Sequence, residues 1–466
     1  MKHISISILM FFFLSDCVYT PKCTPVPSNA MDGPVSMVMM PGNMLYVVNS
    51  NQDTKYCSSF ISKISLSNPI KPAYTGAIKL NYNGSDISLL GSSYLSDNGL
   101  LWITDRSNNR VLIFDTSVNA ITGSVAVDQD PISITSAGNV NGDQLLLVCD
   151  MVSNDVSVVS AYQKKELYRI DLTNNGSGVL PLFAAVIPFP ISVNNQAPDT
   201  YGYITRGDDN NISVISLNDQ CEFNPMYPSS ASQPVFNTVT PDNTATMSSV
   251  KTVNCQTKSE LWTITFSSET NDFDAEGSVS GLMQKHPQIG IPYTSDNGYV
   301  NFTIYPPNLP YKTGDNFTFY TTASTGLINI PNLPGTGTAT AIPATKDAVI
   351  TPDGTKLFVS YTGLDSIVVI STADNTIERY IKVGKSPDAL LLSTDGSTLY
   401  AACLNSGSIY VINTNSESVI ARIGVGNGPF AMALSQDQRY LYVLNYIDNS
   451  IDVIDLSDFS LVDTLK

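Results

Sequence analysis

The C-terminal part of the chain alternates short apolar runs with polar turns, and this pattern repeats three times. Phe358, Tyr400 and Tyr442 are spaced 42 residues apart, as are the Ser-Ile pairs that begin at 366, 408 and 450. Each repeat holds four runs rich in β-branched and aromatic residues, separated by Gly, Asn, Asp and Ser, as strands and tight turns are. Four strands in a repeat of this length are typical of a β-propeller blade.

Four further copies of the same pattern precede these three, and the last of the four is weaker. They lie between Gly33 and about residue 234, and the fourth shows only three clear runs. Seven is a common number of blades. The sequence therefore predicts an all-β, seven-bladed β-propeller, with blades 1–4 in residues 33–234 and blades 5–7 in residues 326–466. The last repeat holds all four of its runs, so we expect no strand exchange to close the ring, although residues 18–32 are available to clasp it.

The repeat fails over residues 235–325, a stretch too long for an ordinary loop. Here Trp262–Phe266, Tyr299–Ile304 and Phe317–Phe319 place aromatic and β-branched residues on one face and Thr or Asn on the other. Such alternation is typical of strands with one buried face. We predict a small β-sandwich inserted between blades 4 and 5.

Two sequence segments of the repeats resemble a known family. Leu441–Asn445 followed by Ile451–Asp455, and Thr351–Val359 followed by Ile367–Ile370, are similar to the YVTN family of β-propeller repeats. The copy at Tyr400–Cys403 departs from the Tyr-Val-Thr-Asn signature. The resemblance implies the propeller fold and an extracytoplasmic or surface-layer protein of bacteria or archaea, and it implies little about function.

The N-terminus predicts export. Lys2 and His3 precede the apolar run Ile4–Leu14, which is too short to span a bilayer and suits a signal peptide over residues 1–17. Cys17 closes a segment that resembles a bacterial lipobox, although Asp16 stands where Gly, Ala or Ser is usual. The alternative is cleavage after residues 28–30. We expect a cell-envelope protein, as an outer-membrane lipoprotein or in the periplasm or at the cell surface, with residues 18–32 as a tether.

Seven cysteines in an exported chain favour disulfides. Cys149 and Cys403 fall at the same strand position of distant repeats, so we predict buried free thiols there. The disulfide candidates are four other cysteines, which we pair as Cys23 with Cys57 and Cys221 with Cys255.

The composition limits the partners. A net charge of −17 repels phosphate backbones and anionic lipids, so we expect no nucleic-acid binding and no membrane contact except through a lipid anchor. The predicted partner is an envelope protein or a surface ligand.

Candidate chemistry is sparse. Of the two histidines, His3 lies in the signal peptide and His286 in a polar turn, where we expect a solvated side chain. We predict no haem, copper or zinc site and no cofactor. Asp208 and Asp209 are weak calcium candidates, as are 128–130 and 448–449, but Asp is also common in tight turns. The predicted innermost strands, those nearest the central channel, are short and mostly apolar segments such as 87–90, 348–351 and 389–392. We therefore expect a packed channel without catalysis.

These observations favour a binding or scaffolding module without catalysis. Aromatic side chains near the strand tips are potential contacts, namely Tyr46, Trp102, Tyr361 and Tyr446, with Tyr46 and Trp102 assigned rather to the blade core. Two alternatives remain: a lactonase-like hydrolase, for which a clustered Glu and Arg group at the channel mouth is the marker, and a surface-layer or adhesion component.

Overall fold

The protein is all-β in the part of the chain that the structure describes. The computed structural model describes residues 26–27, 30–51, 55, 58–140, 143–172, 179–188, 200–207, 211–222, 229–240, 243–252, 257–267, 272–322, 327–331 and 345–466. These residues contain 40 strands and no α-helix, only short 3-10 turns such as Arg106–Asn108 and Leu404–Ser406. No helix among them is long and apolar enough to cross a membrane. The predicted all-β class is confirmed.

Six antiparallel sheets have four strands each, paired in sequence order. Sheet 1 is β1 Pro34–Met40, β2 Met44–Asn49, β3 Phe60–Ser65 and β4 Ala73–Lys79. A small hairpin of β5 Asn81–Tyr82 and β6 Ser85–Asp86 follows. Sheet 2 is β7 Leu90–Leu95, β8 Leu100–Asp105, β9 Arg110–Asp115 and β10 Ala120–Ala126. Sheet 3 is β11 Pro131–Val140, β12 Asp143–Asp150, β13 Asp155–Ser160 and β14 Lys165–Asp171.

The three C-terminal sheets follow the 42-residue period closely. Sheet 5 is β29 Thr345–Ile350, β30 Lys356–Tyr361, β31 Ser366–Ser371 and β32 Thr376–Lys382. Sheet 6 is β33 Pro387–Leu392, β34 Thr398–Cys403, β35 Ser408–Asn413 and β36 Ser418–Gly424. Sheet 7 is β37 Pro429–Leu434, β38 Tyr440–Asn445, β39 Ser450–Asp455 and β40 Ser460–Leu465. The four strands predicted for each of these repeats are confirmed.

Sheet 4 is divided by a long insertion. Its first three strands are β15 Pro181–Val186, β16 Tyr201–Arg206 and β17 Asn211–Ser216. Two short segments then share the outer edge of β17, since β18 Cys221–Glu222 pairs near its C-terminal end and β28 Leu327–Asn329 pairs near its N-terminal end. The chain therefore leaves sheet 4 after β18 and returns to the same edge through β28.

Residues 229–322, which we call the inserted unit, form two further sheets. The larger is arranged as β19-β27-β22-β23-β24 with β20 also on β27, and the smaller as β21-β26-β25. They pack around one apolar cluster that contains Trp262, Phe273, Phe302 and Phe319. The bounds are β19 Ser230–Ala231, β20 Val235–Asn237, β21 Lys251–Thr252, β22 Glu260–Ser267, β23 Asp272–Gly277, β24 Gly281–Leu282, β25 Tyr293–Thr294, β26 Val300–Phe302 and β27 Asn316–Thr322.

The seven numbered sheets follow one another in a closed cycle. Their first strands contact in the order β1, β7, β11, β15, β29, β33, β37 and back to β1. Each pair of neighbouring sheets also shares an apolar cluster of its own, and the cluster between sheets 7 and 1 closes the series. Because every core lies between two sheets, no sheet can bury its apolar face alone.

The first and last sheets meet without exchanging a strand. The Tyr442 hydroxyl donates a hydrogen bond to the carbonyl of Pro69 at 3.1 Å, and the Gly33 amide donates to Asn449 Oδ1 at 3.3 Å. Met31 and Met37 pack into the same cluster as Tyr442. Side-chain packing therefore joins the two ends of the cycle.

One aromatic position recurs in the second strand of nearly every sheet. The fourth residue from the end of this strand lies in an inter-sheet core, and it is at most 6% exposed. The residues there are Tyr46, Trp102, Tyr203, Phe358, Tyr400 and Tyr442, with Leu147 in sheet 3. This confirms Tyr46 and Trp102 as core residues. Tyr361, predicted as a contact point, is instead fully buried and packs in the core between sheets 4 and 5.

Candidate functional site

A cavity of about 510 Å³ opens where the first strands begin. Residues from all seven first strands line it, together with Arg106, Leu404 and Tyr446, which follow the second strands of sheets 2, 6 and 7. Pockets of a few hundred Å³ are of the size that holds small ligands. The cavity at the centre of the cycle is therefore the candidate binding site.

A β-bulge at the start of every first strand builds the wall of this cavity. In each sheet the first residue of that strand pairs with the last residue of the second strand, and the register then skips one or two residues. Bulges re-aim side chains and are frequent next to active sites. All of the skipped residues line the cavity, and we call them the bulge ring: Val35, Gly91, Ser92, Ile132, Leu182, Phe183, Lys346, Asp347, Asp388 and Phe430.

The charges of the bulge ring lie only in sheets 5 and 6. Lys346 and Asp388 both occupy the second position of their strands, and Asp347 follows Lys346. In the other five sheets the bulges carry apolar residues, glycine and one serine. The charges of the bulge ring are therefore confined to one part of the cavity wall, and the other bulges are largely apolar.

Asp347 is fixed by two backbone donors. Its Oδ1 accepts a hydrogen bond from the amide of Ala348 and its Oδ2 one from the amide of Leu390 in sheet 6, each at 2.8 Å. Burial nevertheless raises the pKa of Asp347 to about 7, and the nearby charge of Asp388 adds to this rise. This carboxyl group therefore changes protonation near neutral pH.

Asp388 faces the cavity without a direct partner. Its pKa is raised by burial, an effect opposed by the positive charge of Lys346. Among the described residues no hydrogen-bond donor lies on the Asp388 carboxylate, and Lys346 forms no ion pair with it within 4.0 Å. The two opposite charges are thus close enough to interact and too far apart to bond.

Arg106 is held at the cavity wall by Asp130. Its Nε and Nη2 donate to the two carboxylate oxygens of Asp130 at 2.6 and 2.8 Å, and its side chain is only 9% exposed. This two-pronged pair is a rigid and strong form of ion pair. It occupies Asp130, one of the weaker calcium candidates.

The expectation of a uniformly bland channel was wrong. It rested on the apolar segment within each first strand. Lys346, Asp347 and Asp388 precede these segments, in bulges that interrupt the alternation of apolar and polar residues. The innermost strand predicted at residues 87–90 was also misplaced, since the first strand of sheet 2 is Leu90–Leu95. A Lys-Asp pair and an Asp at equivalent positions of two repeats were the available signal.

Tyr446 is the one predicted aromatic contact that reaches the cavity. It is 40% exposed, and its ring lies 6.2 Å from that of Phe430 between centroids. Both residues line the cavity. Their rings extend the apolar side of its wall.

The structure describes three of the cysteines. Cys149 and Cys403 are free and buried as predicted, and burial raises the pKa of each thiol to about 12. Cys221 is disulfide-bonded. Its predicted partner Cys255, the pair Cys23 and Cys57, and the lipidation candidate Cys17 lie outside the described residues, so these assignments stay predictions.

No described group of three or more His, Cys, Asp or Glu side chains could hold a metal ion. The calcium candidates Asp208 and Asp209 lie outside the described residues. Asp448 accepts hydrogen bonds from the amide and side chain of Asn427, so its carboxylate joins two loops that adjoin sheet 7. His286, expected to be only solvated, also pairs through Nδ1 with Asp274 Oδ1 at 3.0 Å.

Two buried carboxyl groups lie in sheet 3 where β12 ends and β13 begins, and neither of them lines the cavity. Asp150 is fully buried, and its Oδ2 accepts a hydrogen bond from the Ser157 hydroxyl at 2.6 Å. Its Oδ1 finds no hydroxyl or amide donor, and its neighbour is the carboxyl group of Asp155. Burial raises the pKa of Asp150 to about 8, so a proton can be held between the two groups at neutral pH.

Comparisons with known proteins add little beyond this geometry. No protein-family model matches the chain, and no curated protein matches it. Similar solved structures include virginiamycin B lyase from Staphylococcus aureus (TM-score 0.48, 12% identity, 90% of this chain and 93% of that chain) and its catalytically inactive variant with quinupristin (0.48, 12%, 90% and 94%). Kuenenia stuttgartiensis hydrazine synthase follows (0.35, 17%, 78% and 95%). At TM-scores below 0.5, these likenesses carry no argument about what this chain does.

Proposed function

We propose that the seven numbered sheets are the blades of one seven-bladed β-propeller and that the inserted unit is a β-sandwich. The cyclic contacts of the first strands and the inter-sheet cores support the first part. The shared core between the two sheets of residues 229–322 supports the second. On this proposal the cavity is the mouth of the propeller channel.

The proposed function is that of an exported binding module of the cell envelope, with the central cavity as its ligand site. One observation carries it: the cavity wall presents two charged groups, Lys346 and Asp388, that no side chain of the described protein neutralises by direct contact. Charged groups in a partly buried place are costly unless they meet a partner. A small polar ligand in the cavity supplies that partner.

The test is a screen of small metabolites by thermal shift on the wild-type protein and on Val35→Trp. Val35 lies in the bulge ring on the apolar side, so an indole there narrows the cavity without removing a charge. We expect ligands that raise the melting temperature of the wild type and not of the variant. Ligands that stabilise both proteins equally would place the site elsewhere.

The scaffolding role belongs in this proposal to the inserted unit, whose partner is an envelope protein. Its surface carries exposed apolar side chains, including Val279 at 62%, Leu282 at 57% and Tyr320 at 62% exposure. Capture from detergent-solubilised envelope by the wild type but not by Leu282→Asp would support this role. A partner held equally by both proteins would remove Leu282 from the interface.

Anchoring through Cys17 is part of the same proposal. Metabolic labelling with a fatty-acid probe should mark the wild type and not Cys17→Ser. If the wild type is exported without label, cleavage after residues 28–30 becomes the better explanation.

Acid–base catalysis in the same cavity is the second candidate, and the neutral-range pKa of Asp347 favours it. The described cavity wall contains Asp, Lys and Arg and no Glu, so the marker chosen for a lactonase-like hydrolase is only partly present. Lactone hydrolysis by the wild type that falls at least about a hundredfold in Asp347→Asn would establish this candidate. Equal rates in the two proteins would reject it.

A further inference from the structure

The charge distribution of the bulge ring specifies what kind of ligand fits it. This inference rests on the proposed function, because it assumes that the cavity binds a small molecule. Lys346 and Asp388 stand at equivalent positions of neighbouring first strands, β29 and β33, which contact each other. A positive and a negative group therefore lie side by side on one wall.

Among the described residues, neither side chain forms a hydrogen bond or an ion pair. The backbone carbonyl of Lys346 accepts a hydrogen bond from Thr205 Oγ1 at 2.6 Å, which fixes the strand, while its Nζ has no partner among the described residues. Asp388 likewise lacks a donor. By contrast, both oxygens of Asp347 and the guanidinium of Arg106 are engaged by the protein. Lys346 and Asp388 are the two groups left for a ligand.

The other sheets of the cycle add apolar side chains to the cavity wall. Val35, Ile132, Leu182, Phe183 and Phe430 come from bulges of sheets 1, 3, 4 and 7, and each lines the cavity. Contact with such side chains contributes on the order of 25 cal/mol for each Å² of apolar surface removed from water. A ligand with an apolar body gains from this wall what a fully polar ligand cannot.

We propose that the cavity binds a zwitterion with an apolar body, namely an apolar amino acid or short apolar peptide, whose ammonium group meets Asp388 and whose carboxylate meets Lys346. The gap between Lys346 and Asp388 exceeds 4.0 Å, since they form no ion pair, so a ligand bearing both charges can bridge it. A purely anionic ligand would leave Asp388 unpaired, and a purely cationic one would leave Lys346 unpaired. Each case retains the cost of one desolvated charge.

The probes are L-phenylalanine, L-leucine and leucyl-leucine, with two single-charge analogues as controls. Phenylalaninamide keeps the ammonium group and lacks the carboxylate, whereas N-acetyl-L-phenylalanine keeps the carboxylate and lacks the cation. Isothermal titration on the full-length protein measures each Kd. We expect at least one zwitterion to bind, and L-phenylalanine to bind at least tenfold more tightly than either analogue.

Two variants connect the charges to their partners. Asp388→Asn should erase the advantage of L-phenylalanine over its N-acetyl form, and Lys346→Met should erase its advantage over the amide. Lys251→Met is the matched control, because Lys251 is an exposed lysine of the inserted unit, and it should change no Kd. Circular dichroism and the melting temperature establish that each variant is folded.

The outcomes separate this inference from the proposed function. If the amide or the N-acetyl form binds as tightly as L-phenylalanine, the zwitterion is wrong while the cavity remains a ligand site. If no zwitterion binds at millimolar concentration but a screened metabolite stabilises the wild type and not Val35→Trp, the same holds. If nothing binds in a way that Val35→Trp abolishes, both proposals fall.

Discussion

Asp150 illustrates how one position of the repeat can carry different chemistry. The last residue of the second strand is Asn49 in sheet 1 and Asp150 in sheet 3, and the side chain of each forms a hydrogen bond with a serine of the third strand, Ser62 or Ser157. Asn49 Nδ2 donates to Ser62 Oγ at 3.1 Å, so the amide is satisfied without a charge. Asp150 achieves the same neutrality only while it keeps its proton.

We predict that Asp150→Asn stabilises the protein at alkaline pH. A carboxyl group whose pKa is raised on folding costs stability as the pH climbs from its unfolded value near 4 to its folded value, here about 8. An amide has no such cost. Urea unfolding should show an advantage of Asp150→Asn that is larger at pH 9 than at pH 5 by at least about 1.4 kcal/mol, the equivalent of one pKa unit.

Asp105→Asn is the control for this prediction. Asp105 holds the equivalent place in sheet 2, but it forms an ion pair with Arg110 at 2.7 Å, so its charge is compensated. Its replacement should destabilise the protein at both pH values. A gain at pH 9 in this variant as well would mean that general charge reduction, and not the protonated carboxyl pair, explains the effect.

Individual side chains could be predicted from the sequence where the pattern repeats. Phe358, Tyr400 and Tyr442 follow the same period and are all buried, because this position of the second strand faces the neighbouring sheet. Asp347 and Asp388 could not be placed in the same way. Bulges break the alternation on which such predictions depend, and which side chains a bulge turns toward the axis depends on contacts between repeats.

At the scale of elements, the first strands pack so closely that one of them requires glycine. A Cβ at Gly91 in β7 would lie 2.5 Å from the carbonyl oxygen of Ile132 in the neighbouring sheet and 2.5 Å from Thr104 Oγ1. Real contacts of this kind are not that short. β7 and β11 therefore approach this closely at the bulge ring only because Gly91 has no side chain.

Gly91→Ala should destabilise the protein by about 1–3 kcal/mol, the usual cost of overpacking, because a backbone oxygen cannot move away without shifting its strand. Gly424→Ala is the matched control. Gly424 also lies in a strand, and a Cβ there would meet nothing within 4 Å. Urea unfolding of both variants measures the difference, and equal stability would show that β11 shifts without cost.

The return of the chain through β28 was not predicted from the sequence. Leu327–Asn329 is short and lies just after the predicted insert, so its pattern alone does not assign it to sheet 4. Ile328 is 5% exposed and packs with Tyr203 and Ile212 in the core between sheets 4 and 5. Its partner strand precedes it by more than a hundred residues, which is a contact that only the tertiary structure supplies.

At the scale of the whole molecule, two classes of carboxyl group set opposite pH dependences. Burial raises the pKa of Asp347 to about 7 and that of Asp150 to about 8. Hydroxyl and amide donors in the hairpins between first and second strands lower the pKa of Asp353, Asp395 and Asp437. The first class costs stability as the pH rises, and the second loses its stabilisation as the pH falls below about 4.

We therefore predict that the free energy of unfolding is greatest between about pH 4 and 6. The net charge of −17 at pH 7 adds self-repulsion on the alkaline side and strengthens this trend. Melting temperatures from pH 3 to 10, at constant ionic strength, check the position of the maximum. A maximum at pH 8 or above would contradict the assignment of protonated carboxyl groups to the folded state.

The divided edge of sheet 4 has a mechanical consequence. A pull on the inserted unit loads the few hydrogen bonds by which β18 and β28 hold β17, while β15, whose bulge lines the cavity, lies two strands further in. The edge would yield before the wall does. A partner bound to the inserted unit could thus pull on it without deforming the cavity. In the course of evolution, the inserted unit could likewise be shortened or replaced while the cavity keeps its shape.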